Sequence, residues 1–228
     1  KTKQAVEKWF SDIPRGKDVV PLTPTAVQLD RVVQKTITDR VQLPRLFLAW
    51  LTPRHLEPGD AALDVVADIL AGGKNSRLYK RLVYDMQIAQ NVSATQNSQA
   101  LSSHFEIEVT PRPGHTIAEV LKVIDEEIAK LQREAPSDHE VQRALNQIEA
   151  SFYSRMERVG GFGGKADQLN AYYTNTGDPD WFNEDLARYR ALSPSDIRAA
   201  AGRFLPADPR VELTVVPGTK EEPLARAS

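Results

Sequence analysis

The side chains able to do chemistry are few and scattered. Four histidines, His55, His104, His115 and His139, are the only imidazoles, and none lies within five residues of another. Two imidazoles hold one metal ion from a single helix only when they recur at i, i+4, so helical ligation by a histidine pair is ruled out. No cysteine is present, which removes thiolate ligands, thiol nucleophiles and disulfides. The chain also lacks a Gly-x-Ser-x-Gly elbow, so a serine or cysteine hydrolase has no foundation here. His55 follows Pro53-Arg54, and His115 sits in a Pro-Gly turn; both are expected to be exposed polar residues. His104 falls on the wet face of an alternating strand and His139 in the first turn of a helix, each without a convergent partner.

The sequence around 71–94 organises the rest. Before it, Leu63, Val66, Ala67 and Leu70 repeat at helical spacing behind Asp60, a plausible N-cap, and the repeat stops at Gly72-Gly73. Ser76 then reads as the cap of a second helix, with Leu78, Leu82 and Met86 inward and Arg77, Lys80 and Arg81 forming a solvated face. From Asn91 the chain alternates like a strand. A helix over 1–10 ends before the Pro14-Gly16 break, and 17–26, with Pro21 and Pro24, reads as a linker. Strands are predicted over 27–37, over 43–51 as a run covered on both faces or at a sheet centre, over 102–110 with Phe105, Ile107 and Val109 inward, and over 211–216. Thr116 caps a helix striped by Ile117, Val120, Leu121, Ile124, Ile128 and Leu131; Ser137 and Glu140 form a capping box. Further helices cover 165–173 and 180–189, and one opens at Ser193-Pro194.

Strands first, in the middle and last, with two long consecutive helices between, define an α+β fold: a mainly antiparallel sheet with helices layered on one face. The glycine stretch at 160–164 follows a helix rather than a strand, so it is no dinucleotide fingerprint. It is expected to make a kink or a close helix crossing, with Phe162 as a local anchor. The 228 residues, 41% hydrophobic and 26% charged, suit one large domain or one domain with a flanking piece. A net charge of -2 gives no electrostatic case for nucleic acid or an anionic membrane. No apolar run approaches the roughly 18 residues of a membrane span. The chain starts at Lys1 without a signal-peptide pattern, and a piece of a longer or processed polypeptide is expected.

Gly-Gly-x-x-Ser-Arg-Leu-Tyr-x-x-Leu over 72–82 and Ile-Ala-x-x-Val-Ser-Ala over 88–94 resemble the C-terminal half-domain of the pitrilysin/insulinase zinc metallopeptidases. That family includes mitochondrial processing peptidase and the core proteins of the respiratory bc1 complex. The resemblance spans nearly the whole chain. It implies that 1–16 is the last helix of a preceding half-domain, 17–26 a linker, 27–217 the half-domain itself and 218–228 a flexible tail. Family catalysis rests on His-x-x-Glu-His, absent here, so zinc is expected in a partner half-domain, in the same longer chain or another subunit. An arginine and a tyrosine seven residues apart, which steady substrate in many members, fall on Val83 and Gln90, and both are missing; Arg77 and Tyr79 belong to the Ser-Arg-Leu-Tyr turn. Gly72, Gly73, Lys74 and Asn75 occupy the place of a longer glycine-rich, substrate-handling loop in the processing peptidase α subunit. They are expected to form a helix-to-helix turn and to contact substrate. By the same resemblance, the loop at 160–164 could stand at the mouth of a peptide chamber. The implied function is a non-catalytic wall of a peptide-binding chamber, paired with a zinc-bearing half. The alternative is a non-enzymatic assembly subunit like the bc1 core proteins.

Overall fold

The structure, a computed structural model, describes residues 1–20, 22 and 27–218. Residues 21 and 23–26, half of the expected linker at 17–26, and nearly all of the expected tail at 218–228 fall outside the described residues. Five strands form one mixed sheet: β1 (Val33–Asp39), β2 (Arg45–Thr52), β3 (Ala89–Asn97), β4 (Ser103–Pro111) and β5 (Val211–Pro217), in the order β1-β5-β2-β4-β3. The fold is α+β, as expected, and three of its four strand pairings are antiparallel; β5 inserts beside β1 in parallel. β1 begins later than the 27–37 strand expected from the β-branched residues. All seven of its side chains are exposed, so no burial pins its register to those residues.

β2 is the central strand, and it alternates rather than being buried on both faces. Leu46, Leu48 and Trp50 are enclosed, whereas Phe47 and Ala49 are only partly covered. On β4, Phe105, Ile107 and Val109 are enclosed and share that face with β2. Trp50 and Phe105 meet edge to face, and the Trp50 indole donates 2.7 Å to the carbonyl of Pro206. The opposite face carries the ion pair Arg45–Glu108 at 2.8 Å.

The helices are α1 (Thr2–Phe10), α2 (Asp60–Ala71), α3 (Ile117–Arg133), α4 (Asp138–Glu157), α5 (Lys165–Thr176), α6 (Phe182–Arg190) and α7 (Pro194–Phe204). A short π-helix, Tyr79–Asp85, links α2 to β3. Capping boxes at Thr116/Glu119, Ser137/Glu140 and Ser193/Asp196 start α3, α4 and α7, satisfying amides that have no partner within the helix. Asp60 is not the cap of α2. Gly59 holds that place at φ 102, and Asp60 is the first helical residue, 1% exposed. A side chain at Gly59 would stand 2.6 Å from the Phe204 ring, which leaves the place to glycine.

The segment after Gly72-Gly73 departs from plain α-helical spacing. Leu78 and Leu82 are fully enclosed, but in the wider π-turn Met86 points to solvent. Arg77 and Arg81 are not a solvated face. Arg77 grips Glu140 at the start of α4 with Nε 2.7 Å and an Nη 3.1 Å from its carboxylate, and Arg81 pairs with Glu126 and Glu127 on α3. Lys80 alone of the three is exposed. Phe162 is likewise no anchor: it is 97% exposed at the tip of its loop. The close approach in that loop is at Gly164, where a Cβ would lie 2.6 Å from the carbonyl oxygen of Gly160.

Candidate functional site

The helix α2 builds the site by burying more than the apolar pattern requires. Nine of its twelve residues are buried, Asp60 among them. Asp60, Asp64 and Asp68 recur every four residues and therefore share one stripe. Beside this stripe opens a cleft of about 480 Å³. Ala67, Ala94, Ile148 and Phe152 give it apolar walls; Asp64, Asp68, Arg155 and Asp185 are among its polar groups.

At its inner end the charges are organised by α6. Asp60 accepts from the Leu56 amide at 3.0 Å, the Ser98 hydroxyl at 2.5 Å and the Arg188 guanidinium at 3.2 Å. Burial alone would raise the Asp60 pKa, but donors from His55, Ser98, Leu56 and Arg188 outweigh it and hold the carboxyl down to about 2. Arg188 also reaches Asp185 at 2.7 Å, and Tyr172 donates to Asp185 at 3.0 Å. Asp64 receives one neutral donor, the Tyr189 hydroxyl at 2.7 Å. Burial wins there and pushes its pKa up to about 6, with the Asp60 charge adding to the rise. Burial also raises Asp68, whose nearest cation, Arg143, stands 3.5 Å away. A perturbed carboxylate in a cleft with apolar walls is the profile of a binding site.

Among the described residues no hydroxyl in this cleft is paired with a histidine base. The Ser98 hydroxyl is committed to Asp60, and His55 Nδ1 lies 3.6 Å from the same carboxylate rather than on a serine. His55 and His115 are half-buried beside carboxylates, Asp60 and Glu119, instead of fully exposed. His104 lies 3.2 Å from the Asn97 amide, and His139 is exposed. Among the described residues no three His, Asp or Glu side chains converge as a metal would need, so the residues present do not fit a zinc ion.

Of the four residues expected to touch substrate, Gly72 lines the cleft, while Gly73, Lys74 and Asn75 form the exposed turn beside it. Gly72 is required there, because a Cβ would fall 2.6 Å from the backbone carbonyl oxygen of Asp68. Val83 packs against the core, and Gln90 is exposed at the irregular start of β3. Asp64 and Asp68 escape the sequence reading; the signal that could find them is the four-residue Asp60/Asp64/Asp68 repeat, a polar stripe in an otherwise apolar helix. Its partners Arg188 and Tyr189 stand some 125 residues away and carry no such signal.

A five-stranded mixed sheet layered with helices, with the cleft opening beside α2, defines an α+β half-domain. The chain belongs to the family described as the peptidase M16 inactive domain, whose pattern matches residues 1–148. It is 25% identical over 165 residues to an uncharacterized zinc protease of Streptomyces coelicolor, covering 72% of this chain and 35% of the relative. A protease from Helicobacter pylori shares the fold with a TM-score of 0.80 at 19% identity, over 94% of this chain and 51% of that one. The M16 inactive domain from Pseudomonas fluorescens superposes with a TM-score of 0.78 at 17% identity, over 98% of this chain and 52% of that one. The chain thus spans about a third of the curated relative and half of these solved chains.

Proposed function

We propose that this half-domain is a non-catalytic wall of a peptide chamber, working with a zinc-bearing half-domain in the same longer protein or in a partner subunit. The family match carries this reading. The cleft beside α2, with Gly72 in its lining, supports it. In this arrangement zinc and its general base belong to the other half. The present half confines an extended peptide through Gly72, Gly73, Lys74 and Asn75 and excludes folded substrates. Val83 and Gln90 offer no guanidinium or phenol to a developing oxyanion, a donor typically worth about 3 to 4 kcal/mol. Full activity therefore requires those donors from a further half-domain.

The domain reading goes with it. Residues 1–16 close a preceding half-domain, 17–26 link it to this one and 27–217 form this half. Supporting this, no residue of α1 is buried, and Val6, Trp9 and Phe10 face solvent. The test is a fluorogenic peptide assay combined with metal analysis. The chain alone should show neither stoichiometric zinc nor chelator-sensitive cleavage. With the zinc-bearing half it should form a complex of low activity, raised by orders of magnitude when a half-domain carrying the arginine and tyrosine is added. A complex without any cleavage in all combinations would favour the assembly-subunit role.

A further inference from the structure

We propose that the cleft beside α2 receives the cationic side chain, lysine or arginine, of an extended peptide, with the ammonium or guanidinium seated at Asp64. The inference rests on the peptide-wall reading and names the side chain which that wall selects.

Shape is the first argument. The cleft holds about 480 Å³, between walls of Ala67, Ala94, Ile148 and Phe152. That suits the methylene stem of a long basic side chain, which buries its carbons along apolar surface while its charged head seeks a polar end. Charge is the second. The carboxylates around the cleft are unequally compensated. Asp60 is matched by an amide, a hydroxyl and a guanidinium, and Asp185 by a guanidinium and a phenol. Among the described residues, Asp64 has the neutral Tyr189 hydroxyl alone as a hydrogen-bond donor. One turn on, Asp68 Oδ1 is buried without a hydrogen bond, its nearest guanidinium 3.5 Å away. A desolvated carboxylate lining an open cleft is stabilised by a cation that brings its own donors.

Other occupants fit less well. An anion would meet Asp64, Asp68 and Asp185 with Arg188 already engaged by Asp60 and Asp185. A divalent ion would need a third convergent ligand, and the described residues offer none. Arg155, exposed on the rim, is the internal competitor.

The groups facing Asp64 are Asp60 and Asp68 on its own helix, Asp185, Arg188 and Tyr189 on α6, His55 before α2 and Arg155 on α4. Asp64 holds its proton below about pH 6, so a cation should bind more weakly there. One pH unit below that value the ionised fraction is about a tenth, and so is the affinity it confers.

The probes are labelled pentapeptides Ala-Ala-Lys-Ala-Ala and Ala-Ala-norleucine-Ala-Ala, titrated by fluorescence anisotropy onto the full 228-residue chain. At pH 7.5 lysine should be preferred by about tenfold to a hundredfold, the effect of one charge-assisted hydrogen bond. The preference should shrink about tenfold at pH 5. Asp64→Asn, which keeps an acceptor for Tyr189, should remove it. Asp138→Asn, the same charge change on exposed surface, should leave it intact, and thermal melts report whether each variant is folded. Equal binding of the two peptides, a preference that survives Asp64→Asn, or no binding of either overturns the proposal. So does a lysine preference that appears only in Arg155→Ala, which would mean that the chain fills its own cleft. None of these outcomes touches the reconstitution assay. A chain that supports cleavage without a lysine preference loses this inference alone, and one with the preference but no zinc-bearing partner loses the wall.

Discussion

Two helix–glycine–helix units in this chain read alike in sequence and end up opposite in structure. The first, α2 with Gly72-Gly73 and the π-helix, is driven into the core: Leu63, Leu70, Leu78 and Leu82 are all fully enclosed. It is also tied laterally, through Arg77 to Glu140 and Arg81 to Glu126 and Glu127. The second, the end of α4 with the 160–164 glycines and α5, projects. Tyr172 is the one buried residue of α5, whereas Tyr153, Val159, Phe162, Leu169 and Tyr173 are exposed. The loop itself is ordered by local bonds, Lys165 N–H to the Arg158 carbonyl at 2.8 Å and Gly163 N–H to Asp167 at 2.8 Å. Glycines between helices specify a turn in both units; what the flanking apolar residues meet decides whether the unit is core or outrigger. The first unit meets the sheet and gives the cleft its carboxylates, Asp64 and Asp68, while Ile148 and Phe152 of α4 wall it opposite.

The largest contrast should come from matched truncations. Leu78→Ala, in the first unit, should cost about 3 kcal/mol in chemical denaturation, as buried leucine deletions do. Leu169→Ala, in the second, should stay within about 0.5 kcal/mol. Equal losses would erase the distinction. Next, Arg77→Ala should cost about 2 kcal/mol, because it leaves the partly buried Glu140 without its charge-assisted partner. Glu140 is held at about 2 despite burial, by Arg77 and by the Ser137 amide and hydroxyl. Its stabilising share is therefore present above the ordinary glutamate pKa and fades as pH falls from there toward 2, so wild type and Arg77→Ala should converge in acid.

A smaller effect, of opposite sign, is expected at Asp64. Its folded pKa is raised to about 6, so ionising it costs stability as pH climbs from the ordinary aspartate value to 6 and stays costly above. Asp64→Asn should be more stable than wild type at pH 7.5 by on the order of 1 kcal/mol, and no more stable at pH 4. Smallest of all, Phe162→Ser should leave the melting temperature unchanged, since its ring touches solvent rather than the core. A clear drop there would show that the outrigger is anchored after all.

Much of the fold was legible because local signals agreed with it. Thr116, Ser137 and Ser193 cap the helices that their spacing announced, and Phe105, Ile107 and Val109 alternate as strand β4 requires. β1 was misplaced because none of its side chains is buried, leaving no hydrophobic period to read. The parallel pairing of β5 with β1 joins residues 178 apart, beyond any local pattern. The site was legible only in part. Gly72 stands out by its glycine pair, but Asp60 reads as a cap, since a carboxylate at a helix start reads that way whether it faces solvent or Arg188. Arg77 and Arg81 looked solvated because their glutamates sit on α3 and α4, 45 or more residues on.

The wall role is tested most directly by photo-crosslinking. An extended peptide carrying benzoylphenylalanine is bound to the complex of this chain with the zinc-bearing half, and the adducts are mapped by mass spectrometry. Adducts should concentrate at Gly72, Gly73, Lys74 and Asn75 and on the cleft residues of α2 and α4. Adducts confined to the zinc-bearing half, or to the Phe47 and Leu51 face of the sheet, would contradict it.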